Sequence, residues 1–128
     1  MDITDVPTVH GDADDPAWHP LQHFFWITAF GANVFVAREE GQTLIGEHDE
    51  SGSDQEELYL VLEGEAIFEL DGESVVARRG AVVAITDPSV RRRALARSAG
   101  AALLVIGVRP GSFESTWRAE HFENTPRA

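Results

Sequence analysis

Three consecutive arginines, Arg91, Arg92 and Arg93, occupy the stretch DPSVRRRAL of a chain that carries 22 Asp and Glu against 10 basic residues, a formal charge of −12. A guanidinium is a planar fork of five N–H donors, so such a cluster can grip a phosphate backbone, recognise a small anion in a pocket, or sit solvated at the surface. A net charge of −12 repels phosphate backbones at long range, and no aromatic residue interleaves the triplet to stack a base. No nucleic-acid partner is expected. All ten basic residues are Arg and there is no Cys, which removes Schiff-base lysines, P-loop lysines, thiolate nucleophiles, thiolate-held metals and disulfides from consideration. Neither G-x-S-x-G nor G-x-G-x-x-G occurs, and the many acids are not paired by any pattern that would argue for a glycosidase dyad.

The charge is segregated along the chain. Residues 1–77 hold 18 acids and the single Arg38, whereas residues 78–128 hold nine arginines and four acids. The two halves can therefore neutralise each other if they fold onto one core. At 128 residues and 43% apolar composition one domain with a real core is expected. No apolar run approaches the roughly 18–20 residues that span a bilayer, and the opening MDITDVPTVHGDADDP has neither a basic nor an apolar signal region. No membrane partner and a cytoplasmic location are the corresponding expectations.

The elements that must position any chemistry read as strands. After residues 1–20, taken as an extended arm with Trp18 as its anchor, the runs FFWITAFGANVFVA and GQTLIGEH are rich in aromatic and β-branched residues. Glu50 to Gln55 is a polar loop, followed by EELYLVLEG, EAIFEL, the pair Asp71-Gly72 and ESVVARRG. Asp-Gly between two strand-like runs signals a type I′ hairpin, because both central residues need φ > 0. Ala66, Phe68 and Leu70 share one strand face, opposite Glu65 and Glu69. Ala81–Ile85 and Ala101–Val108 are continuous apolar runs suited to strands buried on both faces. Short strands recurring with turns between them predict a sandwich or barrel over residues 21–110, with 111–128 a tail that includes a short helix near Ser115.

Between Glu57 and Gly80 the sequence resembles the cupin superfamily, and the likeness extends over residues 40–108. The first motif of that family runs H-x-H, a short gap, E, six residues, G; ELYLVLEG matches its second half with Glu57 and Gly64. The second motif runs G, five residues, P-x-G, two residues, H, three residues, N. GAVVAITDPSVRRRAL supplies Gly80, then Thr86 for the proline, Pro88 for the second glycine, Arg91 for the histidine and Leu95 for the asparagine. The resemblance implies an all-β, cupin-type double-stranded β-helix, a jelly-roll barrel with an N-terminal arm and a short C-terminal tail.

Cupins hold a divalent transition metal through the histidines and glutamate of these motifs, and both motifs depart from that set here. No histidine falls in the window before Glu57; His48 enters the ligand register only if the loop carries an insertion, and arginine cannot ligate. The resemblance then implies Glu57 and Arg91 inside the barrel as an ion pair, with Arg93 on the same face as Arg91, Arg92 on the surface, and Tyr59 on the face of Glu57. The expected site is Glu57, Arg91, Tyr59, His48 and Arg93, binding a small anionic organic ligand with no metal or other cofactor. A dioxygenase-, isomerase- or cyclase-type enzyme with a divalent metal on His48 and Glu57 is the alternative. A structural or regulatory dimeric module without ligand is a second alternative; a homodimer is the expected partner state, with the aromatic run FFWITAF offering the apolar surface for it.

Overall fold

The computed structural model describes residues 1–128. Nine strands follow one another: β1 (Ala17–His19), β2 (Gly31–Val36), β3 (Thr43–His48), β4 (Glu56–Glu63), β5 (Glu65–Leu70), β6 (Glu73–Arg78), β7 (Val82–Ile85), β8 (Arg92–Ala96) and β9 (Ala102–Val108). They form two antiparallel sheets, β1-β2-β9-β4-β7 and β3-β8-β5-β6. Alternation explains the core. On β4 the residues Tyr59 and Val61 point inward, on β5 Ala66 and Phe68, and on β8 Ala94 and Ala96, each no more than 3% exposed. Tyr59 and Phe68 meet edge to face across the sandwich, with ring centroids 5.4 Å apart.

Two turns fix the register. Asp71 (φ 48°) and Gly72 (φ 85°) form the expected type I′ connection between Leu70 and Glu73. Gly64 (φ 66°) joins β4 to β5 where a Cβ would stand 2.5 Å from Ser98 Oγ and 3.0 Å from Ala101 Cα. Gly64→Ala therefore meets both a left-handed backbone and a backbone wall. A loss of about 2–3 kcal/mol is expected in urea denaturation, and a loss under about 0.5 kcal/mol would show that the β4–β5 corner relaxes freely.

Three expectations are corrected. The run from Phe24 to Ala37 is not one strand: Leu21–Phe24 is a helical turn (α1) following Pro20, closed by bonds from Phe25 N to Leu21 O and Ile27 N to Gln22 O, and extended structure begins only at Gly31. Ala81–Ile85 is not buried on both faces. β7 is a sheet edge paired only with β4, and Val82 is 57% exposed. Near the C-terminus no helix starts at Ser115; a short 3₁₀ turn covers Ala119–Phe122. The N-terminal residues are docked as well as extended, since β1 adds an edge to the larger sheet, Val6 is buried, and His19 Nδ1 lies 2.8 Å from Val6 O. No helix is long and apolar enough to cross a membrane.

Candidate functional site

Period-two alternation on β4 puts Glu57 on the same inner face as Tyr59 and Val61. Opposite lies the end of β3, where register shifts between Thr43 and Ile45 and between Ile45 and His48 re-aim the last side chain. His48 thereby points at Glu57, with Nε2 3.8 Å from Oε1. The following turn places Glu50 beside both: its Oε1 lies 3.0 Å from His48 Nε2, and Ser53 Oγ donates to its Oε2. The backbone of that turn is tied down by Glu50 N to Pro88 O at 2.7 Å and Asp54 N to Glu50 O at 2.6 Å.

The arginine triplet reverses the expected orientation. Arg92 faces the interior with its side chain fully buried, while Arg91 is 55% exposed on the outside, within 4 Å of Glu47 and Asp49. Arg93 shares the outer face with Arg91, as parity requires, and holds Glu69 through two bonds of 2.7 and 3.1 Å. The cause is a one-residue offset, which flips every side chain of a strand. Arg91 is pinned at the strand entrance by Asp71: Arg91 N donates to Asp71 Oδ1, and Asp71 N donates to Arg91 O. Regular β8 then starts at Arg92, opposite His48 on β3 and Leu70 on β5.

Glu57 is the hub. Its Oε1 accepts from Tyr59 OH at 2.7 Å and lies 3.4 Å from Arg92 Nη1. Arg92 Nε, Nη1 and Nη2 are all buried and make no hydrogen bond. Burial, reinforced by the hydrogen bond and charge of Glu57, pushes the Tyr59 hydroxyl far above its ordinary range, so it serves as a fixed donor. His48 Nδ1 faces Gly46 O at 2.7 Å while Nε2 faces the Glu50 carboxylate, two acceptors. A cavity of about 290 Å³ opens over this group, lined by His48, Glu57, Tyr59 and Asn33 together with the apolar Phe35, Leu44, Ile45 and Val105.

Neither a comparison with protein-family models nor one with curated proteins finds a match for the sequence. Solved structures do match. A cupin protein from Bacteroides fragilis superposes with a TM-score of 0.66 at 21% identity, over 91% of this chain and 93% of that one. The chain has the cupin fold. A cupin-superfamily sugar phosphate isomerase from Silicibacter pomeroyi matches with a TM-score of 0.70 at 19% identity, over 85% and 74% of the two chains. A protein with a double-stranded β-helix domain from Klebsiella pneumoniae gives 0.65 at 18% identity, over 87% and 89%.

Cupins commonly hold a transition metal, so the donor set of this cupin barrel can be tested against one. His48, Glu50 and Glu57 bring one nitrogen and two carboxylate oxygens within 4.8 Å of one another. The inner position on β8, however, carries Arg92, which has no lone pair to give and sets a fixed cation 3.4 Å from Glu57 Oε1. The set does not fit a family-type centre of three imidazoles and a carboxylate. Arg92 is the member of the site that the motif comparison did not place. A hint of Arg92 lay in the alternation of Arg92, Ala94 and Ala96, since small residues on one face mark the crowded interior.

Proposed function

We propose that this cupin barrel binds a small, uncharged, polar organic ligand in the cavity over Glu57, without a family-type metal centre. The observation that carries the reading is Glu57: a carboxylate that lines the cavity and is held by the Tyr59 hydroxyl and by the buried Arg92 guanidinium behind it. Arg92 does not line the cavity, so it acts as the counter-charge of Glu57 rather than as a donor to the ligand. The anionic ligand expected from Arg91 loses its donor, because Arg91 faces outward, and the Glu57 carboxylate that lines the cavity disfavours a second anion beside it. Glu57 can accept a hydrogen bond from a hydroxyl or amide of the ligand, His48 lines the cavity beside it, and a volume of about 290 Å³ limits the part seated there to a small group.

Benzamide, benzyl alcohol and benzoate provide matched probes. A ligand at ten times its Kd adds about 1.4 kcal/mol, a melting shift on the order of 4 °C for a domain of this size. Benzamide or benzyl alcohol should raise Tm by this order and benzoate should not. A shift with benzoate alone would overturn the neutral-ligand reading. The close approach of His48, Glu50 and Glu57 favours the metal-dependent reading as a second one. Elemental analysis decides: one tightly held transition metal per chain, lost in His48→Ala, would replace the first reading by the second.

We further propose a homodimer formed through the aromatic turn after α1. Phe25 is 48%, Trp26 90% and Phe30 39% exposed, and Trp26 adopts φ 60°, an uncommon conformation for a bulky side chain. Light scattering should give twice the chain mass for the wild type and one chain mass for Trp26→Glu. A monomeric wild type would refute the dimer.

A further inference from the structure

A second cavity of about 330 Å³ adjoins the first, and the two share Phe35, Leu44 and Gly46 as lining residues. Its far wall is the N-terminal arm, which contributes Val9, Asp14, Asp15, Pro16 and Trp18. The arm is seated on the barrel by defined bonds. Gln42, only 9% exposed, accepts from Arg38 N at 2.7 Å and donates to Asp14 O at 2.8 Å, and Val9 N donates to Trp18 O at 2.9 Å. The Trp18 indole lies near-parallel to Phe35, with centroids 6.0 Å apart, and its Nε1 donates to Asn33 Oδ1 at 2.7 Å. Asn33 itself lines the inner cavity, so this one bond couples the arm to the site.

We infer that the arm builds an outer subsite continuous with the inner pocket, and that the ligand is elongated: a polar head at Glu57 and a second, flat-faced ring against Trp18 and Phe35. This rests on the proposed ligand pocket. The chemistry of the outer wall defines the distal part. Trp18, Phe35, Val9 and Leu44 offer apolar faces for a ring, and Asp14 and Asp15 offer acceptors for a hydroxyl or amine on its rim. Trp18, partly exposed and held in place through Asn33, is the specificity-determining residue of this half.

The probes are benzamide, sized for the inner pocket, and 4-(4-hydroxybenzyl)benzamide, which adds a hydroxylated ring through a flexible joint. Calorimetric titration of the full chain should show the extended probe binding at least tenfold more tightly. Trp18→Ala should abolish that gain, so that the two probes bind the variant about equally, and Trp18→Phe should retain most of it. If benzamide binds but the extension adds nothing, or if the gain survives Trp18→Ala, the outer subsite is refuted and the inner pocket stands. If neither probe binds, the inner pocket reading falls and the subsite with it. Should Trp18→Ala fail to fold, Gln42→Ala, which releases the arm backbone at Asp14, must produce the same selective loss.

Discussion

Arg92→Met should destabilise the chain by about 3–5 kcal/mol, the penalty for leaving a buried carboxylate without its counter-charge. Glu57 retains only the Tyr59 hydroxyl and the more distant His48 as partners once the guanidinium is gone. Against a total stability of about 5–15 kcal/mol this is a large fraction, and it should be read from the urea midpoint at an unchanged m-value. Glu57→Gln should cost a similar amount, because it strands Arg92, whose donors have no other partner. The double variant Glu57→Gln/Arg92→Met removes both charges and keeps an amide oxygen to accept from Tyr59. It should therefore recover most of the loss and lie within about 1–2 kcal/mol of the wild type, in line with other buried pairs replaced by neutral groups. The coupling between the two positions should then be at least about 4 kcal/mol, since two losses of about 3–5 kcal/mol collapse to one of about 1–2. Additive losses in the double variant would mean that Glu57 and Arg92 do not act as a pair.

How far the site could be read in advance depended on which interactions set each side chain. The barrel was legible because period-two alternation, the Asp71-Gly72 turn and the stretch from Glu57 to Gly64 are local signals, and each agrees with the observed strands. Glu57 and Tyr59 were placed together for the same reason: two residues apart on one strand, they share its face. The arginines were not legible, since the offset that turns Arg92 inward is imposed by Asp71, twenty residues away, gripping the backbone of Arg91. His48 was a ligand candidate only if the loop carried an insertion. The turn of Glu50–Asp54 and the two irregularities in β3 supply the geometry that brings it to Glu57. The aromatic run beginning at Phe24 misled because its composition favours strands, while Pro20 and the following turn hydrogen bonds fold its first part back on itself.

Above pH 10 the stability of the wild type should fall by about 1.4 kcal/mol per pH unit, and Tyr59→Phe should not share that slope. The unfolded chain releases the phenolic proton near the ordinary value of 10.0, whereas the folded chain holds it well beyond, because the phenolate would be buried against the Glu57 carboxylate. Above that pH the unfolded state binds fewer protons than the folded state, so stability declines as pH rises toward the folded value, and it is intact below about 10. Composition isolates the effect: the chain has one Tyr and no Lys or Cys, and its arginines stay protonated in this range, so no other side chain titrates between about pH 8 and 12. At neutral pH Tyr59→Phe should be the weaker protein by about 1.5–3 kcal/mol, the worth of a hydrogen bond to a carboxylate. The gap should then narrow as pH rises and close between about pH 11 and 12, where the two denaturation midpoints cross. The phenolate absorbance of the native wild type should stay silent until the chain unfolds. A phenol that titrates near 10 in the folded protein would show that Tyr59 does not donate to Glu57 in a closed core, and the arrangement of Glu57 between tyrosine and arginine would have to be abandoned with it.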